Sequence, residues 1–79
     1  MNNFTEVIAR LGHGTALSPR WGVPKSTINA WAARNSIPPY MWRAVLDELR
    51  RQRVPGRRRL NCATFAQWAE QQHARRRAA

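Results

Sequence analysis

The feature that most constrains this chain is a single glycine, Gly22, set between two short segments whose apolar residues fall at helical spacing. Leu17 and Trp21 precede it, and Ile28 and Trp31 follow it. Residues three or four apart on a helix share a face, so each pair forms a stripe that has to be covered. A glycine at the junction supplies the positive φ that a tight turn requires. Residues 14–33 therefore predict two helices joined by one turn and sharing a core.

The remaining segments are cut by the same punctuation. Residues 3–11 predict a first helix: Asn3 is the N-cap, Glu6 stands three later to reach back, and Phe4, Val7, Ile8 and Leu11 make the stripe. Gly12 suits the left-handed position that ends such a helix. Thr15 is the candidate cap of the second helix, which would place Pro19 in its first turn or just after, where a missing amide costs little. Val23 tucks beneath the turn and Pro24 opens a third helix over 24–34. At about 100° per residue, Lys25, Ser26, Asn29, Ala30 and Ala33 share one face of it, opposite Ile28 and Trp31. A solvent-facing helix would ordinarily favour Glu and long charged side chains; small and hydrogen-bonding ones let a backbone lie close to another surface.

Ile37-Pro38-Pro39 stops that helix, because residues before proline avoid the helical region, and Pro39 opens a fourth. Met41, Trp42, Val45, Leu46 and Leu49 give it an apolar stripe running to residue 53, with Arg43 to Asp47 and Asp47 to Arg51 spaced for ion pairs on the wet side. Val54-Pro55-Gly56 breaks the helix within a run that includes Arg50, Arg51, Arg53, Arg57, Arg58 and Arg59. Two readings of that run stand side by side, a solvated mobile linker and a phosphate-contacting arm. A last helix, capped by Asn61 or Thr64, points Leu60, Phe65 and Trp68 at the core or at a partner subunit, and residues 73–79 are expected to fray. No segment alternates long enough for a strand. The fold class is all-α: a small bundle of about five helices containing a helix-turn-helix. Residues 1–53 form the helix-turn-helix unit, 54–60 a basic linker, and 61–79 a C-terminal helix with a basic tail, either part of the same domain or a dimerisation element.

At 79 residues the chain has room for one small core and none for a large catalytic cleft. Lys and Arg number 14 against 4 Asp and Glu, a net charge of +10, which predicts a polyanionic partner, nucleic acid first. A lone cysteine, Cys62, forms no internal disulfide and reads as a small semi-buried apolar residue. His13 and His73 have no partners at ligand spacing; for His13 a phosphate contact is the more reasonable role. With no carboxylate pair, metal cluster, nucleophile and base set or phosphate loop, an enzyme is not expected, nor a cofactor or small-molecule substrate. The N-terminus has neither a charged nor an apolar leader pattern, and no segment approaches the ~20 apolar residues that span a bilayer, so a cytoplasmic protein without a membrane partner is expected. Four tryptophans in so short a chain read as core volume rather than as a base-stacking platform.

Leu17, Ser18, Trp21, Gly22, Val23, Ile28 and Trp31 together resemble the helix-turn-helix of the phage Cro and repressor superfamily, and the continuation Trp-Ala-Ala-Arg-Asn-Ser-Ile-Pro-Pro-Tyr-Met-Trp looks like small Cro-like and YdaS-type phage regulators. The resemblance covers about residues 4–50 of the chain and stops short of the arginine run and last helix. It implies a sequence-specific double-stranded-DNA-binding regulator, a phage or mobile-element repressor acting as a homodimer on a palindromic operator. Base contacts would then fall on Lys25, Ser26, Asn29, Ala30 and Ala33. Backbone contacts would fall on Thr15, Arg34 and Asn35; apart from the resemblance, the position of Thr27 on the wheel makes it structural or phosphate-facing, and Arg57, Arg58 and Arg59 are the candidate phosphate arm. Asn29 matches the N6 and N7 edge of adenine, and Lys25 suits guanine O6 and N7. Two positions depart from the pattern: Ser18 stands where alanine is usual, and Pro24 replaces the usual capping residue of the recognition helix. The alternatives are a non-specific or RNA-directed arginine-rich protein, and a protein-interaction module such as an antitoxin.

Overall fold

Glycine and proline divide the described residues into five α-helices, and the apolar stripe of each is what brings them together. The computed structural model describes the backbone of residues 1–78 and the side chains of residues 1–74. The helices are α1 (Phe4–Leu11), α2 (His13–Trp21), α3 (Lys25–Arg34), α4 (Trp42–Arg51) and α5 (Cys62–Ala78), with 3-10 turns at Pro39–Met41 and Arg57–Arg59. There is no strand among the described residues, and the fold is an all-α bundle. No helix in them is long and apolar enough to cross a membrane.

Asn3 caps α1 as its sequence position suggests, its Oδ1 accepting the Glu6 amide at 2.8 Å. The Glu6 carboxylate reaches one residue further than a capping box would take it, to the Asn2 amide at 2.9 Å. Gly12 then closes the helix at φ 109, and His13 follows at φ 60. Two left-handed residues in succession turn the chain so sharply that α2 starts one residue after α1 ends. This corrects the expectation for Thr15: no extended residue is left at that point for it to cap from, and it lies exposed inside the first turn of α2. Pro19 accordingly sits in the body of the helix, not near its start. Its missing amide frees the carbonyl of Thr15, an exposed residue that water can reach, which is how the helix tolerates it.

Pro24 is the N-cap of α3, not its first residue: at φ −56 and ψ 141 its carbonyl accepts the Thr27 and Ile28 amides at 3.0 and 3.2 Å. At the far end Asn35 takes φ 52, and the Ser36 amide closes on the Trp31 carbonyl at 3.0 Å. The fourth helix is shorter than its stripe at both ends. Its first turn is the 3-10 turn at Pro39–Met41, and its last is cut by Arg53 at φ 52. There the Val54 amide returns to the Leu49 carbonyl at 3.1 Å and the Arg53 amide to Arg50 at 3.1 Å, the double bond pattern of a Schellman end with arginine where glycine is usual.

One continuous core receives all five helices: Phe4, Val7, Ile8 and Leu11 from α1, Leu17 from α2, Ile28 and Trp31 from α3, Val45 and Leu49 from α4, and Phe65 from α5, with Ile37, Met41, Val54 and Leu60 from the connections. Trp21, Trp42 and Trp68 pack half-buried against it, so the tryptophans do fill core volume. The Phe4 ring lies 5.5 Å from Phe65 and 5.2 Å, edge to face, from Trp68. Such aromatic pairs contribute about 0.5–1.5 kcal/mol each beyond their burial. They turn the apolar face of α5 inward onto α1. Asn61 caps α5, accepting the Thr64 amide at 2.9 Å. Cys62, expected semi-buried, is exposed, because it stands at the outer side of that first turn. The helix runs from Cys62 through Ala78, and Ala79 lies outside the described residues.

Candidate nucleic-acid interface

The approach of α2 to α3 depends on the absence of a side chain at Gly14. A Cβ built on this buried residue would lie 2.6 Å from the Lys25 carbonyl oxygen, 2.8 Å from Lys25 Cγ and 2.9 Å from Asn29 Oδ1. The gap is filled instead by a hydrogen bond, the Gly14 amide donating to Asn29 Oδ1 at 3.1 Å. That amide is one of the donors that a helix start leaves without an intrahelical acceptor. Asn29, reaching across from α3, thus performs the capping role that the sequence suggested for Thr15.

The other end of the pair is fastened through the turn. Gly22 adopts φ 66 and its amide bonds the Ser18 carbonyl at 3.0 Å. Ser18 Oγ donates to the Val23 carbonyl at 2.7 Å. The departure at Ser18 is therefore a latch: its hydroxyl holds the turn where an alanine would contribute packing alone. Between these two fastenings, Leu17 and Ile28 are fully buried against each other's helices.

With Ile28 and Trp31 turned inward, Lys25, Ser26, Asn29 and Ala33 stand exposed together, as the helical wheel predicts, and Ala30 is half-buried at the edge of that face. Of the remaining positions, Thr15 and Arg34 are exposed and Thr27 is half-buried. Asn35 is half-buried, its Oδ1 accepting the Thr5 amide at 3.1 Å, while its backbone carbonyl accepts from the Gln72 side chain. Its oxygen is spent tying α3 to α1, which leaves only its NH2 to face outward.

The arginine run, which the sequence offers as a solvated linker or a phosphate-contacting arm, is flanked by packed residues. Buried Val54 and Leu60 anchor it on both sides, and Arg57–Arg59 forms a 3-10 turn in which Arg57 Nη1 donates to the Val54 carbonyl at 3.2 Å. Arg58 and Arg59 are exposed. Gln52 Nε2 bonds the Leu11 carbonyl at 3.4 Å, so the start of the run lies beside the α1–α2 junction, near exposed His13.

The residue that sequence reading missed is Glu48. It is 3% exposed, with Oε1 accepting from Arg20 Nε at 3.1 Å and Oε2 from Arg51 Nη2 at 2.6 Å and Gln52 Nε2 at 2.8 Å. These pairs replace the anticipated Arg43–Asp47 and Asp47–Arg51 bridges among the ion pairs of the described residues. The reason is geometric: Glu48 adjoins Leu49 and follows Val45 by three, so it falls on the flank of the buried stripe. The Arg51 hydrogen bond, helped by Gln52 and Arg20 against the opposing effect of burial, lowers its pKa from 4.5 to about 2. With one of the four acidic side chains withdrawn in this way, the exterior is more uniformly basic than the composition alone conveys.

Among the described residues no three His, Cys, Asp or Glu side chains come together as a metal site. No protein-family model, curated protein or solved structure matches this chain, so the likeness to phage Cro and repressor proteins rests on its own residues.

Proposed function

We propose that this chain is a sequence-specific double-stranded-DNA-binding transcriptional regulator, a repressor of phage or mobile-element type, that lays α3 in the major groove. The observation carrying the proposal is the outward face of α3. Lys25, Ser26, Asn29 and Ala33 stand exposed in one row, free of acidic side chains, on a helix bonded to α2 through Asn29 and entered from a turn that Ser18 holds. Short side chains let the helix backbone approach base edges, and Lys, Ser and Asn carry the groups that read them. Thr15, Thr27, Arg34, the Asn35 amide and Arg57–Arg59 are the proposed phosphate contacts, which set register rather than sequence. It is a cytoplasmic binding protein in this reading, with no cofactor and no small-molecule substrate.

A ten-residue helix spans only a few base pairs, so the proposal includes a homodimer on a palindromic operator with half-sites about one helical turn apart. Leu60 and Phe65 are consumed by the monomer core and are removed from the candidate dimer surface.

Selection of bound duplexes from a random pool tests the reading directly, because it returns half-site, spacing and symmetry together. Asn29→Ala should then weaken the selected duplex far more than a random one; equal losses on both overturn base reading. Neutralising about six phosphates should give a slope of log K against log salt of about −5. The exposed Arg58 and Arg59 favour a second reading, a non-specific or RNA-directed binder. Replacing both by alanine separates the two: loss of nearly all binding, equal on selected and random duplexes and with α3 intact, supports the second.

A further inference from the structure

We infer that Lys25 and Asn29 present hydrogen-bond donors only, so that the purines α3 reads are guanines, and that Gly14 is the positioning residue that imposes this. The inference deepens the proposed function and rests on it. An N–H group can bond only the oxygen of a carboxamide, so the Gly14 amide at 3.1 Å decides which way the Asn29 group faces. Its Oδ1 is turned toward α2, and its NH2 is the end left for a ligand.

Bidentate recognition of adenine needs both ends of the carboxamide on one base, the oxygen accepting from N6 and the NH2 donating to N7. Here the oxygen is held on the α2 side at 3.1 Å from the Gly14 amide, and swinging it out to a base edge would leave that buried amide without a partner. Lys25 is also a pure donor, with three N–H groups and no acceptor. Its stem passes so close to Gly14 that a Cβ there would meet its Cγ at 2.8 Å. One glycine thus buttresses both reading side chains.

The major-groove edges sort themselves against such a pair. Guanine offers two acceptors, O6 and N7; adenine pairs its N7 acceptor with an N6 donor that would face an NH2 or NH3⁺ head-on. Cytosine offers a donor, and thymine one acceptor beside a methyl group. Ser26 both donates and accepts and does not discriminate.

The test uses the full chain and the duplex it selects from a random pool. The base pair whose identity Asn29→Ala ceases to discriminate should be G·C, and 7-deazaguanine at that guanine should weaken binding about tenfold, the size of one hydrogen bond. Asn29→Asp keeps an oxygen for the Gly14 amide but cannot donate, so it should preserve the melting temperature while losing the guanine preference. Gly14→Ala puts a Cβ 2.6 Å from the Lys25 carbonyl oxygen as well as 2.9 Å from Asn29 Oδ1, so it should lower the melting temperature and relax the same position to accept adenine, where Asn29→Asp leaves the melt unchanged; a lowered melt with the guanine preference retained overturns the role given to Gly14. Selection of A·T at the Asn29-dependent position, with loss on removing the adenine 6-amino group, overturns the inference and leaves the proposed function standing. Absence of any duplex preference overturns both.

Discussion

Replacing Glu48 by glutamine isolates the charge network that joins α2 to α4. A carboxyl held at about 2 in place of 4.5 corresponds to about 3 kcal/mol, at ~1.36 kcal/mol per pKa unit. Arg20 and Arg51 are 47% and 52% exposed, so screening by water trims this to roughly 2 kcal/mol. The sign follows from which state binds the proton. Between pH 4.5 and about 2 the unfolded chain takes up a proton at Glu48 that the folded chain refuses, so the stabilisation is complete above that window and is lost as pH falls through it. Urea unfolding followed by tryptophan fluorescence at a series of pH values reads the effect. At pH 7, Glu48→Gln should be less stable by roughly 2 kcal/mol, equivalent to about 10 °C in Tm. The difference between wild type and variant should shrink toward zero by pH 2, which removes the contribution of the other carboxyls. A difference that stays constant with pH would refute the assignment, since it would make the residue's role one of shape and not of charge.

Arg53→Gly should raise stability by about 0.5–1 kcal/mol in the same assay, because a side chain held at φ 52 carries a strain that glycine does not; a loss would mean that the arginine makes contacts outweighing it. Ser18→Ala should lower stability by about 1 kcal/mol through the bond to the Val23 carbonyl, and an unchanged melt would show that Gly22 alone holds the turn.

The helices and their inward faces were legible because they depend on local periodicity. Phe4, Val7, Ile8 and Leu11, or Ile28 and Trp31, declare a buried side through spacing alone, and so does the exposed row from Lys25 to Ala33. What escaped the sequence depends on partners distant along the chain. Thr15 has the chemistry of a cap, but two successive left-handed residues at Gly12 and His13 take away the backbone geometry that a cap needs. Asn29 has the chemistry of an adenine reader, but its oxygen is claimed by an amide fifteen residues away. Glu48 gave no signal in the sequence, because Arg20, which converges on it with Arg51 and Gln52, lies 28 residues away. The arginine run, read by composition, gave no sign that Val54 and Leu60 at its two ends would each be buried.

The one-residue link at Gly12 bears on how strain is shared when this chain meets a partner. With α1 joined to α2 through one residue, α3 bonded to α2 through Asn29, and the turn between them held by Ser18, the first three helices are tied to one another. In the proposed complex a duplex engaged by α3 would meet these three helices as one unit, so misfit between groove and helix would fall on the nucleic acid. Flexible pyrimidine–purine steps flanking the contacted bases would then raise affinity without being touched, and stiff A-tracts in their place would lower it.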